Sequence, residues 1–231
     1  MKKLIVLLGF IAFSTSIFAQ KTEIKGVLNS GLSSFFGDGA ASETFLSNLP
    51  PTSRINNPYG SKYSVCYGLS GTIQRVTKRS FIVGLDLGVE SVRSKVLINR
   101  VSDSGKSLTA SGNGYYTHNF LNAYPFWGYR FQAAGFNIDW VLGLDVAYNL
   151  KSKVKGSATA SDERVFTADY VRKDKPTDVR LRTQVAVSSK GIGAFVGCSF
   201  GVVNYQGGLI GGTIPVCFSR VIRFGLTYQL Q

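Results

Sequence analysis

The chain carries a single histidine, three cysteines, and carboxylates and arginines recurring at even spacings; each set implies a different chemistry. An imidazole acts as general base when a nucleophile and an orienting partner lie within hydrogen-bond reach. His118 stands between Thr117 and Asn119, with neither a His-x-Ser nor an Asp-x-His pair around it. A histidine at the rim of a sheet, in an interfacial zone, needs no further groups. Cys66, Cys198 and Cys217 are odd in number and lack zinc-like spacing. That excludes a disulfide framework and a metal cluster. Two readings stay open for them: a Cys66–Cys217 pair, or small buried residues. Asp86 with Glu90, Asp139 with Asp145, and Arg180 with Arg182 each share one face if the chain there is extended. With Arg223 they form candidate ion pairs, which a dry core accepts only when partnered. No residue stands out as catalytic, as a cofactor ligand or as a metal ligand, and no cofactor is expected.

The elements that must position these charges are long strands. Phe136, Ile138, Trp140, Leu142, Leu144, Val146, Tyr148 and Leu150 form an apolar row at every second position, with Asp139 and Asp145 opposite. Period two is the mark of a strand. Fifteen residues far exceed the about five or six of an ordinary strand. The same alternation recurs over 63–74, 81–90 (Leu85 and Leu87 on the apolar face), 179–188, 192–202 and 222–230. A weak first strand covers 22–36. The segment 119–131 is apolar on both faces, so either side suits lipid, and Pro125 suggests a bulge there.

Turns and loops alternate. Turns at 77–80, 132–135 and 189–190 are short; loops at 37–62, 94–114 and 152–176, with a Gly-rich one at 206–213, are long and polar. Outer-membrane barrels have short periplasmic turns and long external loops. Phe136 and Tyr148 lie roughly 40 Å apart along their strand, which suits two aromatic girdles. The predicted fold is all-β: an eight-stranded antiparallel up-and-down transmembrane β-barrel, lipid outside and ion pairs inside.

The ends supply an address. Lys2 and Lys3, an apolar run over 4–13 and a small residue at Ala19 describe a cleaved signal peptide, residues 1–19, before a barrel domain over 20–231. Nothing after Gln20 is apolar for the roughly eighteen residues of a membrane helix. Basic residues outnumber acidic ones, 26 to 13. That balance suits anionic partners, and export directs it to outer-membrane lipid and lipopolysaccharide rather than nucleic acid. The chain stops with its last strand, so no peptidoglycan-binding domain is expected to follow.

Several short motifs carry a family resemblance. They are the signal ending Phe18-Ala19-Gln20, Tyr124-Pro125 before Tyr129-Arg130-Phe131, and the closing Phe224-Gly225-Leu226-Thr227-Tyr228. With these the chain resembles the PorT-like family of small outer-membrane β-barrel proteins of the Bacteroidota, similar in architecture to OmpX and the OmpA barrel. Arg223, Gly225, Tyr228 and Leu230 resemble a barrel-assembly signal, read by the assembly machinery during biogenesis; the chain departs from it by ending at Gln231. The resemblance implies the cell outer membrane and allows a subunit of a secretion or envelope-assembly complex, in contact with other envelope proteins. Such barrels host many functions. The expectation is a non-enzymatic structural or accessory component acting through basic external loops. The alternatives are a free-standing adhesin or ligand-binding barrel, a small pore, an outer-membrane enzyme, or a soluble lipocalin-like barrel with the apolar face turned inward.

Overall fold

The computed structural model describes residues 21–48, 52–173, 175–207 and 215–230. The signal peptide over 1–19 and the final Gln231 lie outside them, as does most of the Gly-rich loop. Among the described residues every regular element is a strand. These are β1 (Lys21–Phe36), β2 (Glu43–Asn48), β3 (Arg54–Ile55), β4 (Lys62–Val76), β5 (Phe81–Asp103), β6 (Lys106–Ala133), β7 (Phe136–Ala160), β8 (Val165–Arg172), β9 (Thr177–Ser189), β10 (Ile192–Gly201) and β11 (Phe218–Gln229).

Eight of them close a ring. Each of β1, β4, β5, β6, β7, β9, β10 and β11 pairs antiparallel with the next. β11 returns to β1 along twelve residue pairs, from Lys25↔Gln229 to Phe36↔Phe218. Closure gives every strand two partners, so no edge of the ring is left with unpaired N–H and C=O groups. At one end the connections are tight. Ala134-Gly135 and Lys190-Gly191 each place two successive residues at positive φ (50° and 82°; 50° and 84°). Two positive φ values match the strands' right-handed twist, the geometry of a type I′ hairpin.

The other end departs from the sequence reading. Residues 94–114 and 152–176 are not loops. β5 and β6 run on to a tip at Ser104-Gly105, and β7 runs to Ala160 and folds back as β8. The segment 37–62 supplies β2, which lies parallel to the upper part of β5, and the short β3. These extensions carry their own core of Phe35, Leu46, Ile55, Val96, Ile98, Tyr116, Val154 and Phe166. They read as loops because their outward faces are rich in Ser, Thr, Lys and Asn, while the inward rows mix apolar residues with Gly112, Gly114 and Gly156 and are broken by interruptions. One interruption is a register shift between Ile98 and Arg100.

Pro125 also differs from expectation. The β6–β7 register is the same on both sides of it, Ala123↔Val146 and Phe126↔Gly143. The proline sits exposed on the outer face without a bulge. The shift falls between Asn119 and Phe120 instead, where Leu150 is the extra residue on β7.

Candidate functional site

Strand parity sorts the side chains. On β7 the even positions from Phe136 to Leu150 point outward and the odd ones inward. On β6 the ambiguity resolves: Leu121, Trp127, Tyr129 and Phe131 face out, while Phe120, Asn122, Tyr124, Phe126 and Arg130 face in. On β1 Glu23, Lys25, Val27 and Asn29 face in.

The inward charges assemble in tiers. Nearest the tight turns, Arg130 holds Glu23 through Nη1 and Nη2 (2.7 and 2.9 Å) and Asp139 through Nε and Nη2 (2.6 and 2.7 Å). Lys25 lies 3.2 Å from Glu23 and 3.5 Å from Asp139. Gln74 donates to both carboxylates. A middle level pairs Arg182 with Asp86 at 4.0 Å, the guanidinium lying 4.3 Å over the Tyr124 ring. Farther along, Arg223 donates from Nη2 to Glu90 at 2.8 Å and to Asp145 at 3.0 Å, and from Nη1 to Ser199. Arg180 reaches Asp178 at 2.7 Å and Glu90 at 3.3 Å, and stacks over Phe120.

The seven charges singled out in the sequence, Asp86, Glu90, Asp139, Asp145, Arg180, Arg182 and Arg223, are thus all buried inside the ring. Glu23, Lys25, Arg130 and Asp178 belong with them and were not anticipated. Asp178 shares an inward row with Arg180, Glu23 and Lys25 sit on the first strand, whose alternation is weak, and Arg130 lies on a strand apolar on both faces. In the two outer tiers most ions have two charged partners, which offset the several kcal/mol each ion loses on leaving water, whereas Asp86, Arg182 and Asp178 have one each. Between the first and middle tiers the lumen retains a small space of about 30 Å³, with Gln74, Asp86 and Tyr124 in its wall.

The outer face is the inverse. Phe136, Trp140, Leu144, Val146, Tyr148 and Leu87 are exposed, and Ile138, Leu142 and Leu85 lie half-buried on the same face. Exposed Phe81, Tyr129, Phe131, Phe136, Trp140 and Tyr228 cluster near the tight turns, and Tyr63, Tyr67 and Tyr148 at the far side of the band. Beyond the band, outward rows turn cationic. Lys151 follows Leu150, Arg220 follows Ile222 two residues earlier in the chain, and Arg93 lies beyond Val89 and Ser91. Arg93 lies 3.8 Å over the ring of Tyr115, and Arg220 lies 4.6 Å over that of Tyr63. Two further outward cations, Lys153 and Lys155, pair with Asp169 at 2.8 and 3.6 Å.

Along the last strand, Arg223 and Gly225 face the lumen, whereas Tyr228 and Leu230 stand outward at 60% and 67% exposure. The three cysteines are free, Cys66 and Cys217 in separate buried clusters.

His118 is not at an exposed rim. It is buried beyond the apolar band, its Nδ1 3.0 Å from Ser152 Oγ and its ring parallel to Phe120. Burial, and then the charges of Arg180 and Arg172, hold its pKa down at about 3. A histidine–serine pair is the start of a nucleophilic site. Both side chains here are closed from solvent, at 1% and 2% exposure, within the aromatic rings of Phe35, Tyr116 and Phe120. A substrate has no approach to the hydroxyl.

No family model matches the chain, and no curated protein matches it. The PorT-like resemblance is not confirmed by these comparisons. Among solved structures the chain is similar to Ail, the attachment invasion locus protein of Yersinia pestis. One structure of Ail, in complex with the heparin analogue sucrose octasulfate, is 7% identical, with a TM-score of 0.33 over 92% of this chain and 100% of that one. Another is 8% identical, with a TM-score of 0.33 over 91% and 98%. The closed ring described above is read from this chain's own strand pairing.

Proposed function

We propose that this chain is an integral outer-membrane β-barrel with a structural or accessory, non-enzymatic role. On this reading the tight turns face the periplasm and the basic extension faces outward. The observation that carries it is the inversion of burial: an ion-paired lumen inside an apolar belt bounded by aromatic residues. Water would leave that belt as an exposed apolar surface far larger than soluble proteins tolerate. Lipid covers it, and ring closure supplies the backbone hydrogen bonds that lipid lacks. The filled lumen opposes a pore, because eight strands leave room only for side chains.

Fractionation of cells producing the tagged full-length chain tests the membrane reading. Recovery with outer membranes after a carbonate wash is expected, and recovery in the soluble periplasm overturns it. Extraction in mild detergent followed by mass spectrometry then tests the accessory role. A stoichiometric protein companion is the expected result.

A second reading, a free-standing ligand-binding barrel, rests on one feature of the extension. A recess of about 420 Å³ opens between Asn56, Tyr59, Arg172, Tyr205 and Gln206. Recovery of the barrel without companions, together with binding of a surface ligand lost on Tyr205→Ala, would favour it.

A further inference from the structure

Among the described residues the apolar belt carries a recess whose surroundings match a particular kind of lipid. About 430 Å³ lies open on the outer face where β4, β5, β6 and β7 pass one another. Leu28, Tyr67, Leu69, Val89 and Leu150 line it together with the polar Ser91 and Asn119, and Glu90 of the lumen is also among its lining residues.

The chain makes this recess by breaking two registers on either side of it. The β4–β5 ladder shifts between Tyr63 and Tyr67, and the β6–β7 ladder shifts between Asn119 and Phe120. An extra residue bends and twists its strand and re-aims the side chains around it. Tyr67 and Leu150 consequently stand tall, at 63% and 58% exposure, on either side of Ser91 and Asn119. These two face each other directly across the β5–β6 ladder. They interrupt a belt whose other outward positions nearby are Leu, Val and Tyr.

The recess ends where the surface becomes cationic. Arg93 is the next outward residue of β5 beyond Ser91, fixed over Tyr115 at 3.8 Å. Lys151 is the partner of Asn119 on β7. An apolar trough, one hydroxyl and one amide in its lining, and two cations at its open end form a sequence of environments. The same sequence runs from the acyl chain through the ester to the phosphate of a lipid.

We propose that this recess is a binding site for one anionic phospholipid of the outer membrane. Its chain lies between Tyr67 and Leu150, its ester region meets Ser91 and Asn119, and its phosphate meets Arg93 and Lys151. The proposal rests on the membrane reading above. Basic side chains attract anionic headgroups at a membrane surface, each by about 1 kcal/mol. Neutral lipid fills the trough without engaging them.

The test uses the full chain in nanodiscs of phosphatidylcholine containing phosphatidylglycerol as the probe. Non-denaturing mass spectrometry after detergent release counts the retained lipids. One retained phosphatidylglycerol is expected for the natural chain. Roughly tenfold or greater loss of retention is expected for Arg93→Gln with Lys151→Gln. Ser91→Trp, which fills the trough and leaves the cations in place, should also abolish retention. Equal retention of phosphatidylcholine, or retention unchanged by Ser91→Trp, overturns the proposal. So does a protein companion whose binding is lost on Ser91→Trp, which would make the recess a protein contact. Quenching of Trp127 and Trp140 by brominated lipid in the natural chain separates the two levels. Without quenching the membrane reading fails; quenching without lipid retention sinks the recess alone.

Discussion

Arg130 of β6 and Glu23 of β1, 107 positions apart in the chain, form a two-pronged ion pair across the lumen, with N–O distances of 2.7 and 2.9 Å. The same guanidinium takes Asp139 with its remaining hydrogen-bonding edge. The contact ties the first strand to the middle of the chain, which ring closure alone does through neighbours. Its members are unequal. Removing Arg130 leaves two carboxylates beside the buried ammonium of Lys25 and the exposed one of Lys21, 3.5 Å from Glu23. Removing the charge of Glu23 leaves Arg130 still paired with Asp139. Breaking a buried pair costs about 3–5 kcal/mol when an uncompensated charge remains. Arg130→Met should reach that range in urea unfolding of the refolded barrel, and Glu23→Gln should cost about half as much. Equal effects would show that Glu23 and Asp139 do not share one cation.

How much of this was legible beforehand depends on whether both faces of a strand carry a contrast. From Phe136 to Leu150 large apolar residues alternate with Asp and Gly, so face and register follow from spacing. On 119–131 Phe120, Tyr124 and Phe126 fill the lumen while Leu121 and Trp127 meet the outside. Both faces are apolar there, and only Arg130 betrays the inward row. The extension was read as loop for the opposite reason. Over 94–103 and 152–160 small and basic residues face out, and the inward Val96, Ile98, Val154 and Ala158 form a core that no single strand reveals. The tiers themselves are products of pairing between distant strands. No spacing within the chain announces that Glu23 and Arg130 meet.

The apolar belt gives a depth-dependent prediction. Leu144 is 47% exposed midway along the outward row of β7. An arginine at the middle of a bilayer costs about 2–4 kcal/mol in a transmembrane barrel. Leu144→Arg should therefore destabilise the barrel by that amount in lipid vesicles. Val165→Arg, on the exposed face of β8 outside the belt, should change stability by less than about 0.5 kcal/mol. Similar small effects at both positions would mean that water, not lipid, covers the β7 row.

Gly143 sits on the inward row of β7 where only a hydrogen fits. A Cβ there would collide with the backbone carbonyl of Pro125 and come within 2.8 Å of Phe126 Cα. These are backbone atoms of a paired strand and cannot swing aside. Overpacking of this kind costs typically about 1–3 kcal/mol. Gly143→Ala should lower the unfolding midpoint accordingly. Gly26→Ala, where a Cβ meets nothing within 4 Å, provides the comparison and should be near neutral.

His118 couples the extension to pH. Its imidazole lies beyond the last outward apolar residue of β6, Leu121, in a pocket of aromatic rings, and burial drives its pKa from 6.5 down to about 3. Arg180 and Arg172 add to the same direction by repelling a second positive charge. The folded state therefore binds a proton less readily than the unfolded chain does. Where the unfolded state holds more protons, stability rises with pH. The contribution is complete above about pH 6.5 and is lost progressively as pH falls toward 3. Each pH unit inside that window is worth about 1.4 kcal/mol. Hydrogen exchange at about pH 5 should accordingly reveal opening of 92–118 and 152–172 before the belt strands exchange, since the belt carries no histidine. His118→Phe keeps an aromatic ring against Phe120 but cannot titrate. It should flatten the pH dependence of exchange in the extension between about pH 7 and 5. If the variant exchanges with the same pH profile as the natural chain, the histidine is not the group that senses acid, and the carboxylates of the lumen become responsible.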